Sequence, residues 1–290
     1  MTYWEFAANC ARSILLFNEI DIYVITNLQG LVIPSDLIGK VHILPTDDNL
    51  AALGIEIKLY LDLFLQTEHT LFVDADCMCF SSLMPVFQAG CLADVTCAGK
   101  VVPAAVWCGT EQAKSIKESY GLEQLIRFNG GLYYLKKSTV TKHIYGKARE
   151  IAAHYDELGF QRIGRYINEE GPLSISMMLH HQPAMPDNGV LMTDLYTDPR
   201  ANLNVLTGYR LLKNAPVGSA YHRSWYHETY SPIIVHYGSN SIHKYPYLAQ
   251  AILLKFFMLG IPEIILSPIV FLFIHLPYHI YFWSKKLYKK

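Results

Sequence analysis

The sequence has almost no net charge: 24 Lys and Arg stand against 25 Asp and Glu, a formal −1 at pH 7. Phosphate backbones demand a basic surface, so nucleic acid is not expected as a partner. Cysteines at metal-knuckle spacing are also missing. The six present (Cys10, Cys77, Cys79, Cys91, Cys97 and Cys108) form no C-x-x-C pair. That argues against a zinc knuckle and for free thiols in a reducing compartment, with Cys77 and Cys79 packing rather than ligating. The opening Met1-Thr2-Tyr3-Trp4-Glu5-Phe6 is no charged n-region followed by an apolar core, so a lumenal enzyme on an N-terminal anchor is disfavoured. No internal repeat or low-complexity linker interrupts the chain before its tail. With 290 residues it suits one large α/β domain, or a domain with appendages.

What is present begins with alternation. Residues 5–17 read as an amphipathic helix with Phe6, Ala7, Cys10, Ile14 and Leu15 on one face, and residues 55–66 as another with Ile57, Leu61, Phe64 and Leu65 inward. Strands are expected at 20–26, 41–44, 70–73, 94–98, 131–135, 190–193, 205–211 and 232–236, and further helices at 138–157 and 172–181. Strands alternating with helices predict a mostly parallel sheet covered on both faces. The C-terminus is of another kind. From Phe256 to Ser284 the only formal charge is Glu263, and Ile264 to Trp283 matches the ~20 residues that cross a bilayer. Pro268 and Pro277 would kink or break a helix there. Abundant aromatics and the closing Lys285-Lys286-Leu287-Tyr288-Lys289-Lys290 suit a headgroup region, so the tail reads as a membrane attachment. His275 and His279, separated by Pro277, read as interfacial rather than metal-binding.

The chemistry is carried by short motifs. In Leu71-Phe72-Val73-Asp74-Ala75-Asp76 an apolar strand ends in two carboxylates. A β-conformation points Asp74 and Asp76 to one side, and a hard divalent cation such as Mn²⁺ or Mg²⁺ relieves their repulsion. Open α/β sheets bind ligands at this end of a strand. The alternative is a solvated turn. Lys58 lies on the helix before this strand and could reach a phosphate, though a helical lysine is ordinarily surface. In Asn129-Gly130-Gly131 paired glycines permit close backbone approach and Asn129 suits sugar hydroxyls; an ordinary turn entering a strand is the plain alternative. Glu169 and Glu170 precede Pro172 at a helix start, where capping competes with contact to a sugar or nucleophile. A late apolar strand ends at His236, followed by Gly238, His243 and Lys244. An imidazole suits Mn²⁺ beside two carboxylates, and Lys244 could neutralise a diphosphate.

In this order the motifs, spanning residues 3–246, resemble the GT-A fold glycosyltransferases, most closely family 8 and its bacterial lipopolysaccharide relatives. The resemblance implies a GT-A-like catalytic domain over 1–246 and a membrane-associating helical segment over 247–290. It implies Asp74, Asp76 and His236 as ligands of Mn²⁺ (or Mg²⁺), and Lys58, Asp74, Gly130 and Lys244 at the nucleotide sugar. Asn129, Glu169 and Glu170 would act in catalysis. The implied activity moves a sugar from a nucleotide-diphosphate donor, with UDP favoured, to a glycan or glycolipid at the cytoplasmic face of a membrane, with retention of configuration.

Two departures stand out. The family's late motif reads His-x-x-Gly-x-x-Lys-Pro-Trp, whereas here Gly238 follows His236 after one residue and Tyr245-Pro246 follows Lys244. The family also opens with a central strand before its first helix, and this sequence begins at the helix. A gap is therefore expected between the strand ending at Thr26 and the one ending at Asp74, unless another segment fills it. These departures favour one competing reading, a non-catalytic carbohydrate-binding scaffold. A nucleotidyltransferase or metal-dependent phosphohydrolase is another, without a glycine-rich phosphate loop to support it.

Overall fold

The computed structural model describes residues 2–238 and 243–287. Ser239 to Ile242, in the middle of the late motif, lie outside the described residues, as do Met1 and Tyr288-Lys289-Lys290. The chain opens with α1 (Tyr3–Leu15), β1 (Ile22–Thr26), β2 (Val41–Pro45) and α2 (Asp48–Ala52). A 3₁₀ segment over Gly54–Phe64, kinked at Tyr60, stands where the periodicity predicts an α-helix. Then come β3 (His69–Val73), β4 (Cys77–Cys79), α3 (Met84–Gly90), β5 (Val95–Pro103), α4 (Ala104–Cys108), α5 (Thr110–Tyr120), β6 (Gln124–Lys136) and α6 (Thr139–Ala153). The second half holds α7 (Glu170–Leu179), β7 (Met185–Pro186), β8 (Met192–Asp194), β9 (Leu212–Lys213), β10 (Thr229–Tyr230), β11 (Ile234–His236) and α8 (Tyr247–Met258). The chain closes with α9 (Glu263–Val270), a π-helical turn over Phe271–His275, and α10 (Leu276–Leu287).

The α/β architecture is as expected, but its strands are less parallel than the alternation implies. β6 runs antiparallel to both β3 and β5, and β4 runs antiparallel to β11. The parallel pairs are β1 with β2, β8 with β11, and β5 with β7. The reason is β6: the expected strand 131–135 is the end of a 13-residue strand that already pairs at Gln124. No strand forms over 205–211.

Both sheet faces are covered, and side chains sort by period two. On β6, Tyr133 and Leu135 face Ile144, Tyr145, Leu173 and Met177 of α6 and α7. Their neighbours Leu132 and Tyr134 face the other way, toward Cys10 and Ile14 of α1. On β4 and β11, Cys77, Cys79 and Ile234 join that second cluster, whereas Met78 and Val235 join a third with α8 and α9. The helix α1 starts with a Thr2–Glu5 capping box, and its buried Ser13 hydroxyl accepts from the Cys79 N–H at 2.9 Å.

The expected gap is visible. β1 and β3 belong to different sheets and, among the described residues, no strand lies between them. A cavity of about 530 Å³ fills the space. Consecutive residues of both strands line it, Ile20 to Ile25 and His69 to Ala75, which is how a strand edge rather than a strand face meets a cavity.

Helix α8 is bound into the core. Its buried Gln250 accepts from Val205 N–H at 2.8 Å and donates to Leu203 O at 2.7 Å. The outward apolar surface starts at α9. Glu263–Lys285 is a continuous helical stretch of 23 residues, long and apolar enough to cross a membrane, with Ile264, Phe273 and Trp283 exposed. Pro277 does not break it: the preceding turn widens to a π-turn in which the Leu276 N–H reaches Phe271 O. The two tail histidines are not interfacial, because His275 is buried and the Tyr245 hydroxyl lies 2.9 Å from His275 Nδ1 and 3.3 Å from His279 Nε2.

Candidate functional site

Two strand ends meet to form the site. Asp74 leaves β3, and its N–H donates to Gly131 O at 3.0 Å, continuing the pairing with β6. The Cys77 N–H donates to Asp74 O at 2.9 Å and closes a turn that carries Asp76. β4 then pairs with β11 so that Cys77 stands opposite His236, and the Tyr237 N–H donates to Asp76 O at 3.1 Å. The backbone thus fixes Asp74, Asp76 and His236 together, although Asp76 sits in a turn and not in the strand conformation the sequence implies. His236 Nε2 lies 3.3 Å from Asp76 Oδ1 and 3.8 Å from Asp74 Oδ2.

The other imidazole nitrogen is held by a residue absent from the sequence expectations. Asp194 ends β8, which runs parallel to β11 in a register that pairs it with His236. Its Oδ1 is 3.0 Å from His236 Nδ1, and its carboxylate accepts from Asn129 Nδ2 at 3.1 and 3.2 Å. The signal is present: Leu191-Met192-Thr193-Asp194, like Ile234-Val235-His236, is an apolar run ending in a polar residue. Only strand pairing shows that these ends are neighbours.

Lys58 is nearly buried. Its ammonium donates to Asp74 Oδ2 at 2.7 Å and Gly130 O at 2.8 Å, and lies 3.4 Å from Glu169 Oε1. Three acceptors match its three donor hydrogens, so it holds the acidic cluster together. Glu169, 3 % exposed, also accepts from the Tyr133 hydroxyl at 3.0 Å. Glu170 Oε1 accepts from Gly130 N–H at 2.8 Å. The glycine pair is no turn before a strand. It lies within β6, where the pairing with β5 jumps from Gly99–Phe128 to Cys97–Tyr133 and residues 129–132 leave the β5 ladder. A methyl group at Gly130 would collide with the Glu169 carboxylate, and one at Gly131 would lie 3.1 Å from the His236 ring. Lys244 stands apart: it is exposed before α8, and its ammonium makes no ion pair among the described residues. His243, its competitor in the sequence, packs its ring edge against Phe6.

Electrostatics follow from this crowding. Burial alone would lower the His236 pKa, but its bonds to Asp194 and Asp76 outweigh that and raise it to about 10. Burial pushes the Asp76 carboxyl up, and the His236 contact more than reverses this, leaving it below its usual value. Lys58 is raised as well, its burial offset by Asp74 and Glu169. Glu170 is pushed up to about 7, first by burial and then by the Glu169 charge. A cavity of about 220 Å³ opens beside these groups, lined by Asn129, Glu170 and Asp194 together with Arg127, Arg223, Trp225 and Tyr226.

The donor set fits a divalent cation. Ligands sharing a small hard ion stand ~3 Å apart, given metal–oxygen distances near 2.1 Å. The Asp76–His236 and Asp74–His236 separations approach that value. One ligand atom each of Asp76, Cys77 and His236 also falls within 4.8 Å of the others. Cys77, however, is fully buried, its thiol is pushed well above its usual range by burial, and its Sγ points at Gly131 O. Asp74 is therefore the better third ligand on chemical grounds. Asp194 behind His236 completes the carboxylate–histidine pairing that orients metal-binding imidazoles.

No family model matches the sequence, and no curated protein is similar to it. Solved structures do resemble it. The galactosyltransferase LgtC in complex with donor and acceptor sugar analogs superposes with a TM-score of 0.54 at 15 % identity, covering 90 % of this chain and 94 % of that one. An active-site mutant of LgtC gives a TM-score of 0.55 at 16 % identity over the same shares. At this identity the likeness establishes the GT-A fold.

Proposed function

We propose that this chain is a metal-dependent glycosyltransferase that moves a sugar from a nucleoside-diphosphate donor, with UDP favoured, to a glycan or glycolipid presented at a membrane. One observation carries the reading: Asp74, Asp76 and His236, distant in sequence, converge at neighbouring strand ends beside a cavity in a GT-A fold. Asp74, Asp76 and His236 would hold Mn²⁺ or Mg²⁺, which supplies positive charge for the departing diphosphate. Asp194 fixes the His236 ring. Lys58 holds Asp74 in place, a structural task instead of the phosphate contact the sequence suggests. Asn129 and Glu170 face the cavity where donor sugar and acceptor would meet. Transfer breaks the bond from the anomeric carbon to the diphosphate oxygen and forms one to an acceptor hydroxyl oxygen, whose proton must leave. Glu170, poised near neutrality, is placed to take that proton. Retention of configuration rests on the family resemblance alone. Lys244 lies outside the cluster and has no part in this scheme.

The helix Glu263–Lys285 supplies the membrane attachment in this proposal, and the free thiols suit the cytoplasmic face. Thermal-shift titration with UDP-, GDP- and CDP-sugars, with and without Mn²⁺, tests the core of the reading. A metal-dependent stabilisation by one nucleotide sugar is expected, and it should vanish in Asp76→Asn without loss of the fold. Equal responses with and without Mn²⁺ would overturn the assignment, and binding without any turnover would favour the scaffold.

A further inference from the structure

Part of the cavity lining takes no part in the transfer chemistry. Lys100 and Arg127 stand directly opposite each other on β5 and β6. Two like charges facing across a ladder are destabilising, and a sheet has no structural use for them there. Both lie over one ring: Lys100 Nζ is 4.9 Å from the Trp225 ring centroid and Arg127 Cζ is 5.9 Å from it. Arg223 also lines this part of the cavity. Burial, and after it the Arg223 charge, lower the pKa of Arg127.

The guanidinium of Arg127 is half-buried, faces the cavity and makes no hydrogen bond or ion pair among the described residues. Asp187 and Glu170 are the carboxylates that act on Arg127, but Asp187 accepts from Trp225 Nε1 at 3.1 Å and from the Tyr226 hydroxyl at 2.6 Å, and Glu170 accepts from the Gly130 N–H at 2.8 Å. Burial raises the Asp187 pKa, and the Arg223 charge opposes that rise. Two cations over an indole and a third in the cavity wall, one of them with its whole fork of donors unspent, make a site for an oxyanion.

We propose that this part of the cavity binds an anionic substituent, phosphate or carboxylate, on the acceptor sugar. The site then selects acidic glycans over neutral ones. That the sugar is the acceptor rests on the transferase reading; the anion site itself does not depend on it. Asn129 and Asp194 line the same cavity, so the anion and the reacting centre would share it.

Binding of glucose, glucose 6-phosphate and glucuronate to the full chain in detergent, followed by tryptophan fluorescence at low salt, tests this. EDTA keeps the metal ligands empty, so binding reports the Trp225 side of the cavity. At least tenfold tighter binding of one anionic sugar than of glucose is expected, and which one identifies the substituent. The preference should disappear in Arg127→Gln, weaken in the exposed Lys100→Gln, and survive in Arg127→Lys, which keeps the charge. Equal affinity for all three sugars, or a preference untouched by Arg127→Gln, overturns the proposal. Manganese-dependent binding of a nucleotide sugar, measured on the same preparations, would persist in that case, so the two readings fail separately.

Discussion

Individual residues divide into those whose chemistry the sequence announces and those whose partners it hides. Asp74 and Asp76 announce themselves, because two carboxylates closing an apolar run are costly without a cation. Asp194 does not, since its meaning lies in a register that pairs it with His236 from 42 positions away. Replacing Asp194 by Ala frees the imidazole, and Mn²⁺ affinity measured by titration calorimetry should fall ~10- to 100-fold. Lys58 shows the reverse error. Its type suggests a ligand contact, whereas burial and three acceptors make it the counter-ion of the acidic cluster. Lys58→Met should lose ~3 kcal/mol of stability in denaturant melts, because it leaves buried carboxylates uncompensated.

Glu170 gives a pH signature. Its folded pKa of about 7 lies above the ordinary 4.5, so the native state binds its proton more tightly than the unfolded chain does. The stabilisation is full below the ordinary value and is lost as pH rises through 7. Glu170→Gln should therefore match the wild type in melting temperature near pH 5 and exceed it near pH 8. A constant difference across that range would contradict the assignment.

At the level of elements, periodicity locates most strands and helices but not their lengths or partners. Gly130-Gly131 reads as a strand boundary because glycine pairs usually make turns, so β6 is legible only from 131 onward. The glycines serve contact instead: each lies against a side chain that must be where it is. Gly130→Ala pushes directly on Glu169, and overpacking of this kind should cost ~1–3 kcal/mol along with most turnover. Antiparallel pairing is hidden for a related reason, since the half of β6 that pairs with β5 from Gln124 to Phe128 is not read as strand. The space between β1 and β3, by contrast, is legible from the order of elements, and both strands bring a free edge to it. In the late motif His236 joins the acidic cluster, and Lys244, where the spacing departs from the family pattern, stands apart from it.

For the whole molecule, the composition of the tail is the clearest signal and its shape the least. Two prolines argue for a broken helix, yet a π-turn absorbs Pro277 and the helix runs on. The full chain should co-float with anionic lipid vesicles in a density gradient, resist extraction by high salt and be released by detergent. Salt-sensitive binding would mean that the lysines alone hold it.

The tail is also joined to the site through aromatic rings. Tyr237, next to His236, meets Tyr247 edge to face at 5.0 Å, and Tyr245 stacks on Tyr278 of α10 at 4.0 Å. With α10 seated in lipid, such a linkage leaves the cleft no swivel. Its mouth would sit at one altitude and one tilt above the bilayer.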